Sequence, residues 1–155
     1  MVLERDCFDA DRRDTRSTVR NSIVNHKHEI WVESAFPDQR IGVAVFLRRV
    51  RATLRIYSLS THPDLRGQGW GNHLLRFAKE RARTAGCRQL SLEADASLPA
   101  LVDWYERNGF HRVKLLESYY DTNRHAWRMK CPVEPSERCD ALIAGHIECC
   151  PHDSP

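Results

Sequence analysis

A chain of 155 residues supports one compact domain, because two would each sit near the size at which a hydrophobic core becomes marginal. Hydrophobic residues at 41% and charged residues at 29% fit a globular protein, and no run approaches the roughly 18–20 consecutive apolar residues that an apolar membrane-spanning helix requires, so that class is excluded. The net charge of +3 is uneven: the 25 residues from Cys131 to Pro155 carry five acids against one base, which leaves +7 for Met1 to Lys130. A basic body attracts nucleic acid, an acidic protein surface or a phosphorylated cofactor, and charge alone does not choose among them.

The amino terminus is charged where a secretory signal carries its apolar run, so export is not expected and the cytoplasm is the expected location. Reduced thiols are expected of the six cysteines accordingly. Val2 to Phe8 and Asp14 to Asn25 suit short amphipathic helices. Glu29 to Val32, Ile41 to Leu47 and Thr53 to Leu59 are rich in β-branched and aromatic residues, separated by Pro37-Asp38 and by Arg48 to Arg51, and read as an antiparallel meander. After Gly71 the period changes. Leu74, Leu75, Ala78, Ala82 and Ala85 share one helical face, Arg76, Lys79, Glu80 and Arg83 take the other, and Gly86 supplies a stop. Gln89 to Ala94 reads as a strand, Pro99 to Asn108 as a helix with Pro in its first turn, and Val113 to Leu116 and Ala126 to Met129 as closing strands. The domain is expected to span residues 1–130, with a boundary at Cys131-Pro132 and an acidic, poorly ordered tail over 131–155. In that tail His146, Cys149, Cys150 and His152 are metal-ligand types, but adjacent cysteines lack the two-residue gap that turns both thiolates toward one zinc, so no metal is expected.

Arg66-Gly67-Gln68-Gly69-Trp70-Gly71 follows a strand and opens the long helix. The unpaired N–H groups of a first helical turn carry about half a positive charge and face one concavity, which suits a phosphate. A nucleotide P-loop needs Gly-Lys-Ser/Thr where this loop ends Gly-Trp-Gly-Asn, and a dinucleotide turn belongs early in a parallel sheet. The spacing R-x-x-G-x-G, preceded by His62-Pro63-Asp64, resembles the acetyl-CoA pyrophosphate loop of the GNAT superfamily of N-acetyltransferases. The likeness continues in Leu54 to Leu59 and Leu90 to Ala94, similar to that family's fourth and fifth strands, and in Trp104-Tyr105-Glu106-Arg107-Asn108-Gly109-Phe110. Ser118-Tyr119-Tyr120-Asp121, followed by His125 to Lys130, resembles the ending of the ribosomal-protein-alanine, protein N-terminal, acetyltransferase subgroup.

The resemblance implies an α/β (α+β) fold with a mixed, mostly antiparallel sheet, splayed between the fourth and fifth strands and flanked by helices. It implies acetyl-CoA as co-substrate and direct transfer of acetyl to an amine, foremost the α-amine of a protein or peptide N-terminus. The cofactor would be held by Arg66, Gly67, Gln68, Gly69, Trp70, Gly71 and Asn72 at its diphosphate, and by backbone N–H groups of Leu59, Ser60 and Thr61 at pantetheine and the thioester oxygen. Tyr105 takes the family's general-acid position, since a phenol with an ordinary pKa near 10 protonates a thiolate while itself protonated at neutral pH. Glu93 aligns with the subgroup's general base, and Tyr119 and Tyr120 with the groove for the peptide amino terminus.

Three departures accompany these matches. The strand that usually precedes the first helix is missing, so the next strand's exposed backbone is expected to lean on the tail or on a partner such as a second copy in a homodimer. Leu98 stands where relatives carry a cofactor-contacting asparagine, and the acidic tail has no counterpart. Two alternatives stay open: an acceptor that is a small-molecule amine or a lysine side chain, and a non-catalytic acyl-CoA-binding module. Specific nucleic-acid binding is not expected, because the arginines lack interleaved aromatics or a groove-reading helix.

Overall fold

The structure, a computed structural model, describes residues 28–38, 40–121 and 123–134. The helices expected at Val2 to Phe8 and Asp14 to Asn25, the expected loss of a first strand, and the tail's His146, Cys149, Cys150 and His152 lie outside these residues. Elements follow in chain order as β1 (His28–Ser34), β2 (Ile41–Val50), β3 (Thr53–Thr61), a single 3-10 turn (Pro63–Leu65), α1 (Trp70–Thr84), β4 (Gln89–Asp95), α2 (Pro99–Arg107), β5 (His111–Asp121) and β6 (Arg124–Pro132). The six strands form one sheet in the order β1-β2-β3-β4-β6-β5. Every pairing is antiparallel except β3 with β4.

Hydrophobic period explains the layering. On β2 the unbroken run from Gly42 to Leu47 is buried, as a central strand covered on both sides must be. Val43, Val45 and Leu47 join Leu54, Ile56, Leu90 and Leu92 in the main core, and the apolar stripe of α1 (Leu74, Leu75, Ala78, Ala82) and Val102 of α2 close over them. The alternate residues Ala44 and Phe46 form a small second cluster with Ile30, on the other face by the two-residue period of a strand. Arg81 ties α1 to β1 through a bidentate pair with Glu29, at 2.7 and 2.8 Å, and Lys79 Nζ donates to the Asn108 carbonyl at 2.7 Å, closing the end of α2. Among the described residues no helix is long and apolar enough to cross a membrane.

Several strands outrun the sequence reading, β2 continuing to Val50 through the expected break at Arg48 and Arg49 and β3 to Thr61. The closing strands are longer than four residues each, because the exposed Arg112 and Lys114 and the half-buried Arg128 and Lys130 keep access to solvent within the sheet and the ladder runs through them. β6 also continues through Cys131 to Pro132, and Val133 is buried with its N–H donated to the Arg88 carbonyl at 2.9 Å. The change at Cys131-Pro132 is therefore not the end of the packed chain. Cys87 and Cys131 are free, buried thiols.

Candidate active site

The parallel ladder between β3 and β4 holds only at Thr53 with Gln89, Leu54 with Leu90 and Arg55 with Ser91. Beyond it the strands diverge, while β3 stays paired to β2 as far as Thr61 and β4 to β6 as far as Asp95. The splay opens a cleft of about 1080 Å³, walled by β3, β4, the start of α1, α2 and the end of β5. Leu59, Ser60, Thr61, Arg66, Gly67, Gly69, Trp70, Gly71, Asn72, Glu93, Tyr105, Tyr119 and Tyr120 all line it. Gln68 does not: its side chain turns back to donate to the Asp64 carbonyl at 2.8 Å, so only its main chain is available to a ligand.

Backbone donors converge at one end of the cleft. Gly69 caps α1 at φ +87°, with no side-chain cap and no acid in the first turn. His73 N–H is the first to find a carbonyl, that of Gly69, at 3.0 Å; among the described residues the N–H groups from Gly67 to Asn72 have no backbone acceptor. Such an uncapped terminus fits a diphosphate. Gly71 serves another purpose, since a Cβ there would meet Trp104 Cζ2 at 3.0 Å, so its lack of a side chain lets α2 close on α1. The Asn72 Oδ1 atom strengthens that contact by accepting from Trp104 Nε1 at 3.0 Å and Asn108 Nδ2 at 3.3 Å. Just past the end of β3, His62 N–H donates to the Gly42 carbonyl of β2 at 2.8 Å. The alternation of an antiparallel ladder then aims the N–H groups of Thr61 and Leu59 into the gap. Arg66 Nε donates to the Thr61 carbonyl at 3.4 Å, which keeps that guanidinium at the cradle. His62 itself caps the 3-10 turn, accepting from Asp64 N–H at 3.3 Å, and packs edge-on against Phe36. It is more enclosed than a solvated turn residue.

Tyr105 is buried on α2, with ring centroids 4.7 Å from Trp104 and 5.6 Å from Phe110. Burial, with the neighbouring Tyr120 phenol adding to it, pushes its hydroxyl well above the ordinary phenol range. The proton is thus retained throughout the physiological range, as a donor requires. Glu93 faces it from β4. Its carboxylate is 6% exposed, with Oε2 paired to Arg55 Nη2 at 2.6 Å and Oε1 to Arg128 Nε at 3.0 Å. Arg55 Nη2 also donates to the Tyr119 hydroxyl at 2.8 Å.

Tyr119 and Tyr120 are adjacent in a strand yet both line the cleft. The reason is a bulge: the β5–β6 register shifts between Leu116 and Asp121 and Ser118 has φ +50°, which re-aims the residues that follow. Ser118 N–H donates to His125 Nδ1 at 3.0 Å, fixing the distortion, and Tyr120 donates its hydroxyl to the Glu93 carbonyl at 3.2 Å. The same hairpin is anchored by Arg124 Nη2 on Asp95 Oδ2 at 2.8 Å, while Asp95 Oδ1 accepts from Ser97 N–H at 2.9 Å and Ser97 Oγ at 2.6 Å. Burial raises the Asp95 carboxyl, but the bonds from Ser97 and Arg124 outweigh it and hold it below the usual carboxylate value. The motif reading gives no role to Asp95, which lines the cleft, or to Arg55, Arg124 and Arg128, which pair with carboxylates that line it, although Arg55 and Arg128 fall within matched segments. Only the β-strand period, which puts Arg55, Glu93 and Arg128 on one face of neighbouring strands, carries a trace of them in the sequence.

Comparison with known proteins agrees with this geometry. Residues 26–112 match the family model described as an acetyltransferase (GNAT) domain. The chain is 31% identical over 106 residues to N-alpha-acetyltransferase 30 of Schizosaccharomyces pombe, covering 63% of this chain and 71% of that protein. It is 28% identical over 85 residues to the ribosomal protein bS18 alanine N-acetyltransferase of Salmonella typhimurium, covering 55% of this chain and 57% of that one. Among solved structures, the ribosomal-protein-S18-alanine N-acetyltransferase of Escherichia coli superposes with a TM-score of 0.74 at 20% identity, over 88% of this chain and 87% of that one. A GNAT acetyltransferase of Elizabethkingia anophelis with acetyl-CoA bound gives 0.66 at 13% identity, over 77% and 84%. With a matched model over more than half its length, the chain belongs to the GNAT family of acetyltransferases.

Proposed function

We propose that this enzyme acetylates the α-amine of a protein or peptide N-terminus, and that the cleft between β3 and β4 is where it does so. The observation that carries the proposal is the presence, in one cavity, of an anion cradle, a buried phenol, a strand carboxylate and two cleft-facing tyrosines, in a chain whose curated relatives include N-alpha-acetyltransferases. GNAT enzymes use acetyl-CoA, which supplies a thioester when bound. The main-chain N–H groups from Gly67 to Asn72, with Arg66, would hold its diphosphate, and those of Leu59 and Thr61 would donate to the thioester oxygen.

Transfer needs a neutral amine, a stabilised oxyanion and a proton for the departing sulfur. An α-amine, with a pKa of about 8, is far more often neutral at pH 7 than a lysine at about 10.4, so modest assistance suffices. Glu93 gives that assistance: each oxygen has one guanidinium partner, and an ionised carboxylate offers about four acceptor sites, which leaves room for the amine or a relaying water. Tyr105 delivers its proton to the thiolate, and the proton taken from the amine replaces it through solvent. Tyr119 and Tyr120 flank the entering peptide.

Mass spectrometry of a panel of N-terminal peptides, lysine peptides with blocked termini, polyamines and aminoglycosides, each incubated with acetyl-CoA, tests the proposal. Acetylation confined to α-amines is expected; transfer to the small amines or to lysine would replace it. Glu93→Gln is expected to move the acidic limb of the rate profile to higher pH, and an unaltered profile removes Glu93 from proton transfer.

A further inference from the structure

Beside the cleft, two arginines that do not line the cavity pair with Glu93, which does. Glu93 is met by two guanidinium groups, Arg55 at 2.6 Å and Arg128 at 3.0 Å, so the trio carries a net positive charge. Arg55 Nη2 is already shared between Glu93 and the Tyr119 hydroxyl, and its Nε is buried with no partner. Among the described residues, Nη1 of Arg55 and both Nη atoms of Arg128 have no acceptor, and the two side chains are 26% and 40% exposed. Several N–H donors of fixed positive charge therefore stand unused beside the carboxylate proposed to receive the amine.

These donors are remote from the diphosphate cradle. Arg55 lies where β3 and β4 are still paired, and the cradle begins only after β3 ends at Thr61. Six residues of strand separate them, about 20 Å. An anion at Arg55 and Arg128 is thus not the cofactor's phosphate. It belongs to whatever lies along Glu93 and Tyr119, the acceptor side.

We propose that Arg55 and Arg128 are specificity-determining residues that select acceptors carrying a carboxylate next to the reacting amine, meaning peptides with an acidic residue in second position. This rests on the N-terminal acetylation reading and names its substrate class. The amine engages Glu93 and the neighbouring carboxylate engages the two arginines, a complementary pairing of the kind guanidinium groups make well. A polyamine or a peptide with a basic second residue meets the same positive charge and is disfavoured.

The test uses three peptides that differ only in Glu, Gln or Lys at the second residue, at saturating acetyl-CoA. The expected order of kcat/KM is Glu over Gln over Lys, by roughly tenfold at each step for one unit charge at a partly screened site, shrinking at high salt. Arg128→Gln is expected to lower the Glu-to-Gln ratio severalfold, whereas Arg128→Lys, which keeps the charge, retains most of it. Because the readout is a ratio within one variant, a general loss of activity does not imitate it. If the Gln peptide is acetylated and Glu gives no advantage, or Lys is preferred, the charge selection is overturned while N-terminal acetylation stands. If none of the three is acetylated, the functional reading itself falls, and the selection with it.

Discussion

Gly69 and Gly71 sit two residues apart in one motif, yet the structure requires glycine at each for a different reason, and a double-mutant cycle separates them. At Gly71 an added Cβ meets Trp104 Cζ2 at 3.0 Å and Cη2 at 3.3 Å. Overpacking of this kind costs about 1–3 kcal/mol, and alanine's better helix propensity returns up to about 1 kcal/mol. Gly71→Ala should then lose about 0–2 kcal/mol when alanine's gain is fully realised and at most about 3 kcal/mol when it is not, and because Trp104 adjoins Tyr105, turnover should fall with the displacement of the ring. At Gly69 nothing lies within 4 Å of a Cβ, but φ is +87°, and a left-handed conformation costs an L-residue about 1–2 kcal/mol. The expected defect of Gly69→Ala is a weaker grip on acetyl-CoA, eased by Gly69→Asn, since asparagine tolerates that region. Trp104→Phe removes both clashing ring atoms. Urea denaturation of the four proteins in each cycle should give a coupling of about 1 kcal/mol between positions 71 and 104 and none between 69 and 104. Zero coupling at 71, or an equal coupling at 69, would refute the division of labour.

Other expectations follow from single contacts. Tyr105→Phe should lower kcat at least 100-fold, within the usual range for a general acid, while calorimetry finds acetyl-CoA affinity unchanged; unaltered turnover removes the phenol from the mechanism. Leu98 occupies the N-cap of α2 with no side-chain acceptor, 40% exposed. Leu98→Asn should raise stability by about 1 kcal/mol in thermal melts, and a loss there would mean that leucine packs against something essential. The Asp95 carboxyl is depressed in the folded chain, so its contribution is full above its unfolded value near pH 4 and disappears as pH falls through the lower folded value. Asp95→Asn should cost about 1–3 kcal/mol at neutral pH and flatten the acid end of the stability profile; a parallel profile at all pH values would contradict this.

The elements were legible where one physical signal dominated. The apolar stripe from Leu74 to Ala82 fixed α1, and Pro99 with Gly109 bracketed α2 within a residue. The Gly-rich loop was legible because backbone donors at a helix start depend on few side chains. What escaped depends on tertiary placement. Nothing in Ser118-Tyr119-Tyr120 announces a bulge, since serine is not a residue that favours φ +50°; the neighbouring His125 acceptor makes it tenable. Asn72 reads as part of a phosphate loop, yet its side chain serves α2. Arg55 and Arg128 lie 73 residues apart and become one feature only because β4 runs between their strands. Cys131 to Val133 reads as a break because Pro and acids follow, while the ladder with Gln89 and Leu90 holds it in the sheet.

The brief pairing of β3 with β4 has a thermodynamic consequence. Past Arg55 and Ser91 each strand keeps one margin paired to a neighbouring strand and one that faces the cleft with no strand partner, where side chains such as Arg66 on the Thr61 carbonyl reach it, and a margin without a strand partner is a place where a further chain can pair. An extended amide-bearing chain that settles there completes the sheet as a surrogate strand. Occupancy and folding are therefore linked: at a hundred times its dissociation constant the ligand adds about 2.7 kcal/mol to stability. A melting curve that climbs with coenzyme concentration would report the filling of this seam before any acetyl group has moved.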